Sequence, residues 1–218
     1  MFTGIVETVG RIERIEQSGA GGRIEIAVES AGTVPLSAGA SIAVNGCCLT
    51  VAAARNQAFA ADLSPETLRR TSFAELPAGS VVNIERPLTA GAELGGHFVL
   101  GHVDGVGRIE RIRREGENGW VSVRLAPELG RYAAEKGSLA IDGISLTIAA
   151  CSGTLADFAI IPYTFEHTNL RARSEGDPVN LEIDVLARYI ERLIEARAEP
   201  AASQAERLTL ARLIEEGF

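Results

Sequence analysis

The sequence predicts a mainly β protein: two tandem antiparallel barrels of about six strands each, followed by a C-terminal α-helical segment. Three observations carry that expectation. The chain repeats itself at a fixed offset, each copy holds short apolar runs of period two, and the period becomes helical after Asp184.

The repeat is clearest at Asn45-Gly46-Cys47-Cys48-Leu49-Thr50, which returns 97 positions later as Asp142-Gly143-Ile144-Ser145-Leu146-Thr147. The same offset carries residues 4–15 onto 101–112 with nine of twelve positions identical, and aligns Pro65, Thr67 and Thr71 with Pro162, Thr164 and Thr168. Gly79, Asn83 and Glu85 fall on Gly176, Asn180 and Glu182 in the same way. One module is therefore used twice, with the same loop lengths in both copies. The expected division is 1–97 for the first barrel with its linker, 98–184 for the second, and 185–218 for a helical segment serving association.

Within the first copy, Ile24-Glu25-Ile26-Ala27-Val28 and Val81-Val82-Asn83-Ile84 alternate as half-buried strands do, and further strands are expected around Val9 to Ile12, Ile42 to Val44, Leu49 to Ala52 and Ala58 to Leu63. A closed barrel removes the exposed edges such strands would leave. Short helical turns are expected near Val34 to Ala38 and over Pro65 to Thr71, where Ser64 caps and Pro65 takes the first helical position. Leu88 to Gly96, with its three glycines, is the linker.

Past Asp184, Leu186, Tyr189, Ile190, Leu193 and Ile194 share one helix face, opposite Arg188, Glu191, Arg192 and Glu195. That apolar face is covered either by its own chain or by another copy. Pro200 breaks the helix, and Ser203 with Glu206 forms a capping box for a second one ending near Gly217.

A formal charge of −8 with only 21 Lys and Arg argues against a nucleic-acid partner. The start of the chain lacks a basic stretch followed by an apolar one, and no uncharged run is long enough for a membrane-spanning helix, so a cytoplasmic location is expected. Three cysteines, two of them adjacent, do not make a disulfide framework.

The chemistry lies where the copies differ. Ile5 becomes His102, Gly39 becomes Lys136, Asn45 becomes Asp142 and Cys48 becomes Ser145, so two similar pockets carry different electrostatics and the second copy holds the titratable set. Cys47 and Cys48 fall on opposite faces of a strand, which makes one of them a buried small hydrophobe. His97 and His102 suggest a metal, but no third ligand has matching spacing. The glycines at 101, 105 and 107 lack the βαβ context of a dinucleotide loop. Glu85 and Glu182, at the ends of strands, receive no role.

The motifs Met1-Phe2-Thr3-Gly4-Ile5-Val6-Glu7, Asn45-Gly46-Cys47-Cys48-Leu49-Thr50, Gly95-Gly96-His97-Phe98, Gly101-His102-Val103-Asp104-Gly105 and Asp142-Gly143-Ile144-Ser145-Leu146-Thr147 closely resemble the riboflavin synthases of alpha-chain type. The resemblance spans residues 1 to about 195. It implies two six-stranded Greek-key barrels, each binding one 6,7-dimethyl-8-ribityllumazine. It also implies a dismutation in which one lumazine passes a four-carbon unit to another, giving riboflavin and 5-amino-6-(ribitylamino)uracil without metal or redox cofactor. A homotrimer joined by the C-terminal helix is implied as well, with the active site between the first barrel of one chain and the second barrel of its neighbour. Association with a lumazine synthase is a further partner the resemblance allows.

By matching position, the resemblance implies a first site lined by Gly4, Ile5, Val6, Cys48, Leu49, Thr50, Asp62, Leu63, Ser64, Pro65, Glu66 and Thr67, with Phe2 closing the interface. It implies a second site lined by Gly101, His102, Val103, Lys136, Ser145, Leu146, Thr147, Ala159, Ile160, Ile161, Pro162, Tyr163 and Thr164. Ser145 and His102, with Cys48 opposite, are expected to assist proton removal from the C7 methyl group, and Lys136 and Asp142 to supply charge near the second ring. Leu100 and Tyr163-Thr164-Phe165 depart from the usual pattern. The alternative from another class is a non-catalytic, fluorescent carrier of lumazine or flavin, which would lack the second catalytic set.

Overall fold

The structure is a computed structural model and describes residues 1–19, 21–29, 36–55, 57–116 and 118–198. The first barrel contains β1 (Thr8–Ser18), β2 (Gly21–Val28), β3 (Ser41–Val44), β4 (Cys47–Arg55), β5 (Ala58–Leu63) and β6 (Val81–Glu85), closed in the order β1-β2-β5-β4-β3-β6. The second contains β7 (Gly105–Glu115), β8 (Asn118–Arg124), β9 (Ser138–Ile141), β10 (Ile144–Ser152), β11 (Leu155–Ile160) and β12 (Pro178–Ile183), closed in the order β10-β11-β8-β7-β12-β9. In the first, β3, β4 and β5 follow one another as hairpins while β2 returns beside β5, which is a Greek key. Every strand of the second barrel begins 97 residues after its counterpart.

Closure requires bent strands, and bulges supply the bend at matched places. They fall between Ile12 and Arg14 and between Val51 and Ala53 in the first barrel. Their equivalents lie between Ile109 and Arg111 and between Ile148 and Ala150. Inward residues fill each lumen. Phe59 and Phe73 pack with Ile12, Ile24, Ile26 and Ile42 in one barrel, and Phe158 and Phe165 with Ile109, Ile141 and Ile148 in the other. Each such side chain contributes about 1.5–3 kcal/mol of burial, and with the interiors occupied a ligand is left the outer faces.

Helix α1 (Pro65–Arg70) starts as the sequence predicts, with the Ser64 hydroxyl accepting from the Thr67 amide at 3.0 Å and proline in the first turn. A single turn, α2 (Pro127–Gly130), precedes β9, and α3 (Pro162–His167) repeats α1 without a side-chain cap because Ile161 stands where Ser64 was. The turn expected near Val34 to Ala38 falls partly outside the described residues, and its described part, Leu36 to Ala38, is not helical.

The barrels meet at a polar seam with approximate twofold symmetry. The Asn45 side chain accepts from the Asn83 amide at 2.7 Å, and the Asp142 carboxylate accepts from the Asn180 amide at 2.8 Å. Asn83 and Asn180 then cross over, each donating its side-chain N–H to the backbone carbonyl of the opposite turn, Asp142 and Asn45 respectively, at 2.9 Å. Gly46 and Gly143 touch between them, leaving no room for a Cβ on either.

The C-terminal unit from Val185 holds α4 (Val185–Ala198). Leu186, Tyr189, Ile190, Leu193 and Ile194 are 52–67% exposed. The break at Pro200 and the helix expected from Ser203 to Gly217 lie outside the described residues.

Candidate functional site

In both barrels the reactive positions lie on the outer surface. On β4, Cys47 and Leu49 point into the core while Cys48 and Thr50 point out, and on β10 Ser145 and Thr147 point out above buried Ile144 and Ile148. Burial pushes the Cys47 thiol up to about 12, so Cys47 stays protonated and packs as a small hydrophobe. Cys48 is half-buried and packs against Phe2, Ala43, Val99 and Ala140.

Two short arms cross between the barrels. The chain from Phe2 to Val6 precedes the first barrel, yet the Ser145 amide of the second donates to the Gly4 carbonyl at 2.7 Å. Val6 accordingly packs on the core of the second barrel. Residues 100–103 precede the second barrel, yet the Cys48 amide of the first donates to the Gly101 carbonyl at 2.9 Å, and Val103 packs on the first barrel's core. Phe2, completely buried, pairs with Val99 where the arms pass. The approach is tight enough that a Cβ on Gly4 would stand 2.6 Å from the Ser145 Cβ, and one on Gly101 would stand 2.5 Å from the Cys48 Cβ. Both glycines also have φ near +80°, a conformation that L side chains rarely adopt.

The grouping expected from the repeat is therefore corrected. Gly4, Ile5 and Val6 belong with Ser145, Leu146 and Thr147, whereas Gly101, His102 and Val103 belong with Cys48 and Thr50. The titratable set is divided, because exposed His102 accompanies Cys48. Repeat register attributes each arm to its own copy and carries no signal of the exchange.

Asp142 is also removed from the pocket. It is completely buried in the seam, where its carboxylate accepts from the Asn180 amide, the Asn169 side chain and Arg173, the last two at 2.7 Å. No face of it is left for a ligand. Leu49, Leu63 and Ile160 belong to the cores, so only their backbone is available to a ligand. Lys136 is exposed in the turn before β9, with φ +66°.

Sequence reasoning missed His97. The residue is 9% exposed, and its ring Nδ1 lies 2.7 Å from the Ser145 hydroxyl. Burial lowers its pKa below the usual value, an effect that Asp184 partly offsets, so the imidazole is neutral at pH 7. Its Nε2 has no hydrogen-bond partner among the described residues. A serine beside a buried neutral imidazole is a base-assisted hydroxyl, able to take or relay a proton. The motif Gly95-Gly96-His97-Phe98 was the available signal, but His97 has no counterpart one repeat earlier.

Glu85 and Glu182 hold the arms. Glu85 accepts from the Thr3 amide at 2.6 Å, the Thr3 hydroxyl at 2.8 Å and the Gly4 amide at 3.0 Å. Glu182 accepts from the Leu100 and Gly101 amides at 2.6 and 2.9 Å. Burial raises both carboxyls despite these donors, Glu182 to about 7, with Asp104 adding to its rise and Glu7 to that of Glu85.

The rims differ as well. On the first barrel Arg23 donates to Asp62 at 2.7 Å, and at the equivalent positions of the second stand Trp120 and Ala159. Ser64, Pro65, Glu66 and Thr67 open α1, and Ile161, Pro162, Tyr163 and Thr164 open α3, where Tyr163 stacks on His167 at 3.9 Å between ring centroids.

Residues 3–87 and 100–184 each match the family described as the lumazine binding domain. The chain is 42% identical to a riboflavin synthase of Actinobacillus pleuropneumoniae and 38% identical to one of Bacillus amyloliquefaciens, in each case across the full length of both chains. Among solved structures it resembles LumP complexed with 6,7-dimethyl-8-(1'-D-ribityl)lumazine, with TM-score 0.76 and 26% identity, covering 84% of this chain and 99% of that one. LumP complexed with riboflavin matches over the same shares, with TM-score 0.76 and 27% identity.

Proposed function

The chain belongs to the lumazine binding domain family, and from that membership we infer that it is a riboflavin synthase. Two molecules of 6,7-dimethyl-8-ribityllumazine enter, a four-carbon unit passes from one to the other, and riboflavin leaves with 5-amino-6-(ribitylamino)uracil. A reaction between two identical molecules in opposite roles needs two like pockets with unlike groups. The observation that carries the reading is that asymmetry, Ser145 with His97 on one barrel against Cys48 with His102 on the other.

In this reading one lumazine lies on β10 and α3 beneath the Gly4–Val6 arm, and the other on β4 and α1 beneath the Gly101–Val103 arm. The Ser145 hydroxyl and neutral His97 take the proton from the acidic C7 methyl group, leaving a carbanion that attacks the second ring. Cys48 and His102 serve that second ring, and Lys136 supplies positive charge beside the first. The functional division is 1–97, 98–184 and 185–218.

The reaction brings the two rings face to face, and we propose that a second chain completes the site within a homotrimer. The exposed apolar row of α4, from Leu186 to Ile194, supports an association surface. A cytoplasmic location is supported by the three cysteines, all free thiols as a reducing compartment keeps them. The alternative, a lumazine carrier, is not favoured, because the relatives matched over their full length are named riboflavin synthase.

Purified protein given the lumazine alone should develop riboflavin absorbance, one riboflavin for each pair of lumazines consumed; binding without turnover would make it a carrier. Ser145→Ala should lower kcat by about 10²-fold with little change in lumazine affinity, the loss expected for a base-assisted proton transfer. An unchanged kcat with weaker binding would remove Ser145 from the chemistry.

A further inference from the structure

Glu85 and Glu182 are buried, acidic and unused by the reaction just described, and each sits in line with a reactive residue of its own barrel. On the first barrel Glu85 pairs with Ala43, which pairs with Cys48. On the second, Glu182 pairs with Ala140, which pairs with Ser145. Neither carboxylate, however, holds the arm that covers its own neighbour. Glu85 binds Gly4, whose carbonyl accepts from Ser145 of the other barrel. Glu182 binds Gly101, whose carbonyl accepts from Cys48 of the first.

The contacts close into a ring. From Glu85 it runs through the sheet to Cys48, across to Gly101 and Glu182, through the second sheet to Ser145, and back by Gly4 to Glu85. We propose that Glu85 and Glu182 are crossed positioning residues: each carboxylate, rooted in one barrel, holds the arm that completes the ligand pocket of the other. The proposal rests on the riboflavin synthase reading only for what the pockets bind, since the crossing itself is a matter of backbone contacts. Its consequence is that neither pocket is complete without the other barrel, which suits a reaction that consumes one ligand from each.

The two links are unequal. Thr3 adds a hydroxyl to the Glu85 clamp, and the matching position holds Leu100, which adds none, while the His102 amide gives Glu182 a third backbone donor.

Residue-resolved hydrogen–deuterium exchange on the full-length protein tests the crossing. In Glu182→Gln one amide N–H faces the carboxamide nitrogen, and exchange at the Cys48 amide should accelerate by about tenfold while Ser145 stays protected. Glu85→Gln should do the reverse. Acceleration at the residue's own neighbour, or equal acceleration at both, would reduce each carboxylate to a structural role and overturn the proposal. Leu100→Thr, which adds the absent hydroxyl, should slow exchange at Cys48 and leaves the test standing if the glutamine variants do not fold; unchanged or faster exchange there would overturn it. A riboflavin titration of Glu182→Gln should show one of two sites weakened by about tenfold and the other unchanged. Failure of the wild type to make riboflavin would refute the enzyme reading and leave the exchange pattern to decide the crossing.

Discussion

The two barrels share strand order, strand starts and bulges, and differ in about one side chain at each matched loop position. The seam shows the largest difference. On the first barrel's side it holds neutral Asn45, Ser72 and Leu76, and at the matching positions of the second stand Asp142, Asn169 and Arg173. Asp142 and Arg173 form an ion pair at 2.7 Å, with side chains 0% and 6% exposed. The outer faces differ less in charge and more in chemistry, thiol against serine with histidine. A duplicated module has thus been altered in two places, by a charge pair in the seam between the barrels and, in the reaction proposed above, by a reactive pair that distinguishes two bound molecules.

Removing that charge should have the greatest effect. Asp142→Ala leaves Arg173 buried without its partner and should lower unfolding free energy by about 3–5 kcal/mol in urea titration. Asn45→Ala, at the same place in the other copy, loses only neutral hydrogen bonds and should lower it by about 1–3 kcal/mol. Equal losses would mean that the seam is symmetric in energy as well as in outline.

Much of this was legible in the residues. The fixed offset locates every strand of the second barrel from the first, and alternation along Cys47 to Thr50 turns Cys48 outward. The crossed arms were not legible, because Gly4 to Val6 and Gly101 to Val103 align within their own repeats and an exchange between neighbours leaves that alignment intact. Asp142 reads as a charge available to a ligand until the chain brings Arg173, 31 positions away, against it. Glu85 and Glu182 read as ordinary charged strand ends, and only tertiary structure shows the backbone amides converging on them. His97 has no repeat partner, so comparing the copies passes over it.

The clamps differ by one hydroxyl, and pH should reveal it. Glu182 titrates at about 7 in the fold against 4.5 for a free side chain, so the folded state binds its proton more tightly than the unfolded one. Its contribution to stability is full below about pH 4.5 and is lost as pH rises through 7. Relative to Glu182→Gln, which has no such proton, the wild type should lose roughly 3 kcal/mol between those limits. Paired urea titrations at pH 4.5 and 8 measure the difference, and a constant gap would show that the carboxylate is not raised. Leu100→Thr should shift the loss to lower pH by giving the charged form the donor that Thr3 gives Glu85.

The smallest effect is expected at the rims, where the comparison concerns recognition alone. Arg23 and Asp62 are both exposed, and an ion pair in water adds little to stability, so replacing them by their counterparts, Arg23→Trp with Asp62→Ala, should leave Tm unchanged. What should change is ligand binding on one barrel. Asp62 is the penultimate residue of β5, two positions before Ser64 caps α1, so the pair borders the outer face on which Cys48 lies, remote in sequence from the Trp120 and Ala159 rim. A riboflavin titration followed by fluorescence quenching should then show one class of site altered and the other at its wild-type affinity. Equal movement of both classes would mean that the two pockets act as one unit even at their rims. No movement in either would place the rim outside the ligand's reach and confine the difference between the pockets to Cys48 and His102 on one side and Ser145 and His97 on the other.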